Sequence, residues 1–365
     1  MKIGIFHDYF DTIGGAEKLA LTLARELKAD IITTDVNEDS LKNMEFEDVN
    51  VIRIGNTIKR PIFRQISTSV RFAICDFSTK YDFFIFSGNW SNFAAKKHRP
   101  NIFYCHSPVR SFYDLYDSIL KESFFHRSIF KIWVKLHKKM YERNFRHIQY
   151  IVTNSKNTKS RITKFLKKDS DIIYPPINTS KYFFQKNGDF WLSVNRIYPE
   201  KRIELQINSF KLLPEENLVI VGDYLKSDYF SRYANKIKAN LPKNINFLDS
   251  VSEKKLLDLY SSCKGFISTA KDEDFGMAVV EAMASGKPAI CVKEGGFLEI
   301  IVDNVTGILV KPNVDEIVKA IKFISKNPEK YKEACIERAK EFDVNLFIKH
   351  MKETIDKIIS KNNSN

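Results

Sequence analysis

No uninterrupted apolar stretch in this 365-residue chain reaches the ~18 residues of a membrane-spanning helix, so no transmembrane segment is expected. The start, Met1-Lys-Ile-Gly-Ile-Phe6, runs directly into a strand-like pattern. It has no apolar core followed by small residues, so no signal peptide is expected either. Cysteine is sparse. Cys75, Cys105, Cys263, Cys291 and Cys335 are scattered, odd in number and without metal-ligand spacing. Reduced thiols in a cytoplasmic protein, and no metal site, are the expectation. Acidic residues are scarce in one region: between 121 and 168 only Glu122 and Glu142 oppose 14 basic residues. The formal charge of +13 is therefore uneven. Residues 1–185 hold 30 Lys and Arg against 19 Asp and Glu, whereas the remainder holds 28 against 26. Such asymmetry points to a polyanionic partner, either nucleic acid or an anionic membrane face.

An apolar fraction of 44% and an aromatic fraction of 13% are ample for packed interiors. The length suits two domains. Short β-rich runs alternate with helical patterns throughout. Ile3–Phe6, Ile31–Thr34, Val51–Ile54, Phe83–Ser87, Ile102–Cys105 and Tyr150–Thr153 read as strands, with a helix over Glu17–Leu27. Asp189–Val194, Asn217–Val221, Ile245–Leu248, Gly265–Ser268 and Pro288–Val292 read as a second set. Helices are expected near 201–212, 227–240, 253–260, 277–285 and 314–326, and a last amphipathic one over 344–360. The polar tail 361–365 reads as frayed. Alternation of this kind predicts an α/β chain with two Rossmann-like open parallel sheets, parted near Tyr174-Pro-Pro-Ile-Asn178. Ligands of such sheets bind beyond the carboxyl ends of the strands.

The chemistry-bearing motifs follow strands. Gly14 and Gly15, in Asp11-Thr-Ile-Gly-Gly-Ala-Glu17, let backbone approach a phosphate or sugar closely, although a plain structural turn also explains them. His106 and Arg110, in Tyr104-Cys-His-Ser-Pro-Val-Arg110, can meet donor hydroxyls, phosphate or an acceptor; a satisfied structural histidine is the plainer alternative. Arg196 and Lys201, in Asn195-Arg-Ile-Tyr-Pro-Glu-Lys201, offer two cations where a departing diphosphate gathers charge. Glu273 and Glu281 stand eight positions apart, the first in a loop and the second some two turns inside the following helix. Phe275, Gly276 and Met277 supply the free amides of that helix start. Glu281 lies in a mostly apolar stretch and needs hydrogen-bond donors, for which ribose hydroxyls are suited. Glu294-Gly-Gly-Phe-Leu-Glu299 repeats the strand–glycine–helix pattern, and Asn304–Val310 reads as a turn into a short strand.

With Ala282-Met-Ala-Ser-Gly-Lys-Pro288, the Glu273-x7-Glu281 pattern resembles the retaining GT-B glycosyltransferases of the group 1 family. The resemblance covers essentially the whole chain. It implies two Rossmann-like domains facing a central cleft. Residues 1–178 would be the acceptor domain, 179–343 the donor domain, and a 344–360 helix would pack back on the first. It implies a nucleotide-sugar donor as co-substrate, no other cofactor, no metal ion and retention of configuration. Glu281 would hold the ribose, Glu273 the donor sugar, the 275–277 amides the sugar and phosphate, and Gly222 would lie near the nucleotide. Gly14, Gly15, His106, Arg196 and Lys201 fall where that family places its glycine loop, sugar-side histidine and diphosphate-binding pair. The motifs around His106 and Arg196 are similar to O-antigen-type mannosyltransferases, which implies GDP-mannose and a glycan or lipid-linked oligosaccharide acceptor. Asn195 replaces a glycine frequent in relatives, and Val221-Gly-Asp-Tyr224 lacks a second glycine, so the donor base stays open, with a UDP-sugar glucosyl or galactosyl transferase as the alternative. With no evident protein nucleophile, front-face attack by the acceptor hydroxyl is the expected mechanism. No residue is singled out as a base.

A GT-B epimerase or hydrolase is the other enzymatic reading. The basic, aromatic-laced segment Phe124–Tyr141 admits three: an ordinary amphipathic helix with a solvated basic face, peripheral docking to anionic lipid through 121–168, or nucleic-acid binding. No nucleic-acid recognition module is present, so no nucleic-acid partner is expected. The protein is expected in the cytoplasm, free or peripheral on the inner face of the cytoplasmic membrane.

Overall fold

Short apolar runs without charge become parallel strands covered on both faces. A computed structural model describes residues 1–11, 14–43, 45–122, 127–224 and 228–363. Thr12 and Ile13 of the glycine loop, Phe124–His126 of the basic segment, Ser227 and the tail residues Ser364 and Asn365 lie outside these. The chain divides into two units: Met1–Tyr174 with Phe347–Asn365, and Pro175–Leu346.

In the first unit, β1 (Ile3–Phe6), β2 (Asp30–Thr33), β3 (Val51–Arg53), β4 (Phe83–Ser87), β5 (Asn101–Cys105), β6 (Tyr150–Thr153) and β7 (Asp171–Ile172) form one parallel sheet. Its order is β3-β2-β1-β4-β5-β6-β7. Register pairs Ile3 with Phe83 and Phe6 with Phe86, and the latter rings stack with centroids 5.2 Å apart. The Gly15–Leu27 helix buries Leu19, Ala20, Leu23 and Ala24, the stripe expected of a helix lying on a sheet.

The second unit holds β8 (Phe190–Val194), β9 (Asn217–Val221), β10 (Ile245–Leu248), β11 (Gly265–Ser268), β12 (Ala289–Val292) and β13 (Gly307–Val310), in the order β10-β9-β8-β11-β12-β13. All registered pairs are parallel. Both sheets thus reverse direction of growth at one place, between β1 and β4 and between β8 and β11. A crevice opens at the carboxyl ends of the strands at such a point.

Three differences from the sequence expectation have simple causes. The Phe63–Ile74 helix went unread because it exposes apolar side chains rather than a polar face. The Lys332–Lys340 helix has little apolar content and buries only Cys335 and Ala339. The last helix runs to Asn363 rather than ending at 360, and Gln149 donates to Asn362 at 3.2 Å. From Phe347 onward this helix belongs to the first unit, where Phe347 meets Tyr104 edge-on at 5.9 Å.

Candidate functional site

In the second unit, the segments leaving β8 and β11 are stitched together. The hydroxyl of Thr269 donates to the carbonyls of Lys201 and Arg202, both at 2.9 Å, and the Lys271 amide donates to Glu200 at 2.7 Å. These bonds bring Lys201 and Glu273 face to face. Lys201 Nζ donates to Glu273 Oε2 at 2.6 Å, with side chains 24% and 20% exposed. The two groups expected to act separately on diphosphate and sugar are a charge-assisted pair. Arg196 differs. It is exposed, and its guanidinium makes no hydrogen bond or ion pair among the described residues.

The Glu273 loop is braced from the other side by Gly295 and Gly296. A Cβ on Gly295, where φ is +58°, would lie 2.5 Å from the Glu273 carbonyl oxygen; one on Gly296 would lie 2.5 Å from Phe275 Cα. The Gly296 amide donates to Glu273 O at 2.8 Å. The Glu294-Gly-Gly motif therefore works as a backbone clamp on the acidic loop. Phe275 has a core side chain, 2% exposed and edge-on to Phe342 at 5.4 Å. Gly276 caps the Met277–Ala284 helix at φ +112°, a conformation that a side chain resists. The Val279 amide closes the first turn onto the Gly276 carbonyl at 3.0 Å, and the helix start ahead of it is an anion-favouring end.

Glu281 lies just over one turn past Met277, not two: the helix begins where the sequence places it, and four residues advance it little more than a turn. It also has protein donors already. Tyr260 donates to Oε2 at 2.7 Å, and Tyr182 is a second hydrogen-bond partner. Burial, then the Glu281 charge, pushes both phenols well above their ordinary range. A carboxylate has about four acceptor positions, which leaves room for further hydroxyls. Gly222 has a packing reason of its own: a Cβ there would lie 2.0 Å from the Asn195 carbonyl oxygen.

In the first unit, the exits of β1, β4 and β5 converge. Ser87 Oγ lies 2.8 Å from His106 Nε2 and 3.2 Å from His7 Nδ1. His7 Nε2 is 3.9 Å from Glu17, whose other oxygen accepts the Gly14 amide at 2.8 Å. Gly14 and Gly15 thus form the start of a helix whose third residue returns to cap it. Burial, then the neighbouring His7, lowers His106 to about 3. Its imidazole is neutral at physiological pH, suited to a hydroxyl rather than to phosphate charge. Asp8 is buried and accepts the amides of Asn89, Trp90 and Ser91 at 2.6, 2.9 and 3.0 Å; burial raises its pKa. Gly88, at φ +97°, leaves room for that carboxylate, which a Cβ would meet at 2.7 Å. Arg110 is bound to Asp114, at 2.9 and 2.7 Å.

Sequence reasoning missed His7, Asp8, Glu17, Ser87, Tyr182 and Tyr260. The rule that ligands lie beyond strand ends could have found His7, Asp8 and Ser87. The two tyrosines carried no local signal.

Two parallel sheets of this order have the architecture of the GT-B glycosyltransferases. Glycosyltransferase Family 4 matches residues 13–181, and Glycosyl transferases group 1 matches residues 176–342. The group 1 match falls in the second unit and the Family 4 match almost wholly in the first, each over somewhat less than half of the chain. An alpha-1,3/1,6-mannosyltransferase of Dictyostelium discoideum is 26% identical, over 99% of this chain and 98% of its own. The O-antigen chain mannosyltransferase RfbU of Salmonella typhimurium is 27% identical, over 57% of this chain and 58% of its own. With RfbU and with an uncharacterized glycosyltransferase of Methanocaldococcus jannaschii, the match spans only 58% and 54% of the relative's length. Among solved structures, Anabaena HepE in complex with UDP-glucose superposes with a TM-score of 0.76 at 18% identity, covering 98% of this chain and 100% of its own. Sucrose-phosphate synthase of Thermosynechococcus elongatus also gives 0.76, at 16% identity and 99% coverage of both. At those identities the likeness concerns the fold.

Proposed function

We propose that this enzyme transfers a hexose, mannose from GDP-mannose, to a growing lipid-linked glycan. The observation that carries the reading is the Lys201–Glu273 pair at 2.6 Å, ahead of the Gly276 helix start and beyond β8 and β11. Glycosyl–phosphate cleavage builds negative charge on the leaving oxygen, and a preorganised ammonium favours that state over the ground state. Lys201, supported by Arg196, serves the diphosphate. Glu273 orients Lys201 and accepts a donor-sugar hydroxyl. The 275–277 amides receive phosphate and sugar, and Glu281, held by Tyr260 and Tyr182, accepts from the ribose. Gly222 keeps the β9 exit close to the nucleotide.

The first unit is the acceptor domain on this reading, residues 179–343 the donor domain. Gly14, Gly15 and neutral His106 meet the sugar, and Arg110 contributes on the acceptor side. No metal ion or cofactor takes part, and configuration is retained by front-face attack. Mannose is favoured by the two mannosyltransferase relatives. The likeness to HepE, which binds UDP-glucose, supports a second reading in which the donor is a UDP-sugar.

Donor consumption separates these from an epimerase or hydrolase. Turnover of GDP-mannose that requires a glycan acceptor supports the proposal. Turnover without acceptor supports the hydrolase or epimerase, and consumption of UDP-glucose or UDP-galactose alone supports the second donor.

A further inference from the structure

The Arg127–Asn144 helix has two apolar faces. Phe130, Trp133, Val134 and Tyr141 are buried in the first unit's core, as a helix packed on its domain requires. A second stripe, Ile129, Ile132, Leu136 and Met140, spaced three, four and four residues apart, is more than half exposed at every position. The Phe63–Ile74 helix also turns an apolar stripe outward, with Phe63, Ile66 and Val70 exposed. The two stripes line one groove of about 430 Å³. Isolated exposed apolar residues are ordinary, but a continuous patch from two helices is not.

The charge around the groove is of one sign. The longer helix carries six Lys and Arg against Glu142 alone, and Lys131, Lys135 and Lys139 are exposed on the arc beside its apolar stripe. Lys59 and Arg60, also exposed, precede the shorter helix. An apolar floor with a cationic rim fits an amphiphile whose hydrocarbon lies beside its anionic groups. Nucleic acid has the charge but no hydrocarbon for the groove. A second copy docked about a two-fold axis would set these lysines against each other.

We propose that this two-helix face seats on an anionic phospholipid bilayer. Acyl chains enter the groove, and the flanking lysines meet headgroup phosphates. The helix thus both packs on its domain and binds lipid, and the Phe63–Ile74 helix supplies half of the contact. The surface goes beyond the donor reading and does not depend on it.

The test is flotation of the full chain with vesicles of equimolar phosphatidylglycerol and phosphatidylcholine, and with phosphatidylcholine alone. The wild type should float with the anionic vesicles and lose binding in high salt. Ile132→Glu and Leu136→Glu, both at solvent-exposed positions, should weaken partition roughly tenfold or more with an unchanged melting temperature. Lys131→Ala and Lys135→Ala should each weaken it about fivefold. Wild-type protein that stays unbound overturns the proposal. So does binding that the lysine variants weaken and both glutamate variants leave intact, because the groove then takes no hydrocarbon. Self-association in sedimentation velocity that Ile132→Glu abolishes, without wild-type flotation, assigns the face to a second copy instead.

Discussion

Replacing Lys201 by alanine perturbs folding and turnover through the same bond. The ammonium donates to Glu273 at 2.6 Å, and both side chains are about four-fifths buried. A hydrogen bond to a charged group is worth roughly 1.5–3 kcal/mol, so Lys201→Ala should cost the second unit about 2 kcal/mol. For a unit of that size this lowers the melting temperature by about 4–8 °C in scanning calorimetry. Glu273→Ala should cost a similar amount. The double variant should be less destabilised than the sum of the singles, with a coupling of about 1–2 kcal/mol. In catalysis, removing one preorganised charge donor should lower kcat by about 10²–10³, or roughly 3–4 kcal/mol of barrier. KM for the donor should change far less. Lys201→Arg keeps the charge in a fork that one carboxylate oxygen was not shaped to receive, and should recover activity only in part. Additive singles, with kcat of Lys201→Ala at the wild-type level, would refute the reasoning.

Other perturbations test neighbouring parts. Glu281→Ala should weaken nucleotide-sugar binding at least tenfold and leave Tyr182 and Tyr260 without their shared acceptor, read by calorimetric titration. Gly222→Ala places a methyl 2.0 Å from the Asn195 oxygen and should destabilise the second unit by about 1–3 kcal/mol in chemical denaturation. His137, buried and hydrogen-bonded to Ser69 at 3.0 Å, is lowered to about 4 by burial. Its native pKa lies below the unfolded value near 6.5, so the unfolded chain binds the extra proton first. Its contribution should be complete above about pH 6.5 and fall by roughly 3 kcal/mol as pH drops toward 4. His137→Gln should flatten that part of the stability profile.

Most strands were legible because buried parallel strands read as unbroken apolar runs. Phe83–Ser87 and Gly265–Ser268 lie where the sequence places them. The two-residue strand Asp171–Ile172 is too short to show a period. The Phe63–Ile74 helix hid for a physical reason, since its outward residues are apolar and break the two-faced pattern that marks a surface helix. In the second unit, the Lys201 and Glu273 motifs were visible as cations and acids after strands, but their pairing depends on Thr269 and Lys271 joining two loops far apart in the chain. Tyr260, 21 residues before Glu281, gave no local sign of its partner. The second apolar stripe of the Arg127–Asn144 helix emerged only when its packing on the domain was known.

The most direct measurement is thermal unfolding of wild-type and Glu281→Ala protein across GDP-mannose, UDP-glucose, UDP-galactose and the free nucleotides. Binding to the native state alone stabilises by about 2.7 kcal/mol at one hundred times Kd. One nucleotide sugar should raise the wild-type melting temperature by several degrees, GDP-mannose foremost, and Glu281→Ala should lose that shift. If no nucleotide or nucleotide sugar stabilises the wild-type protein, the donor site proposed around Lys201, Glu273 and Glu281 is contradicted.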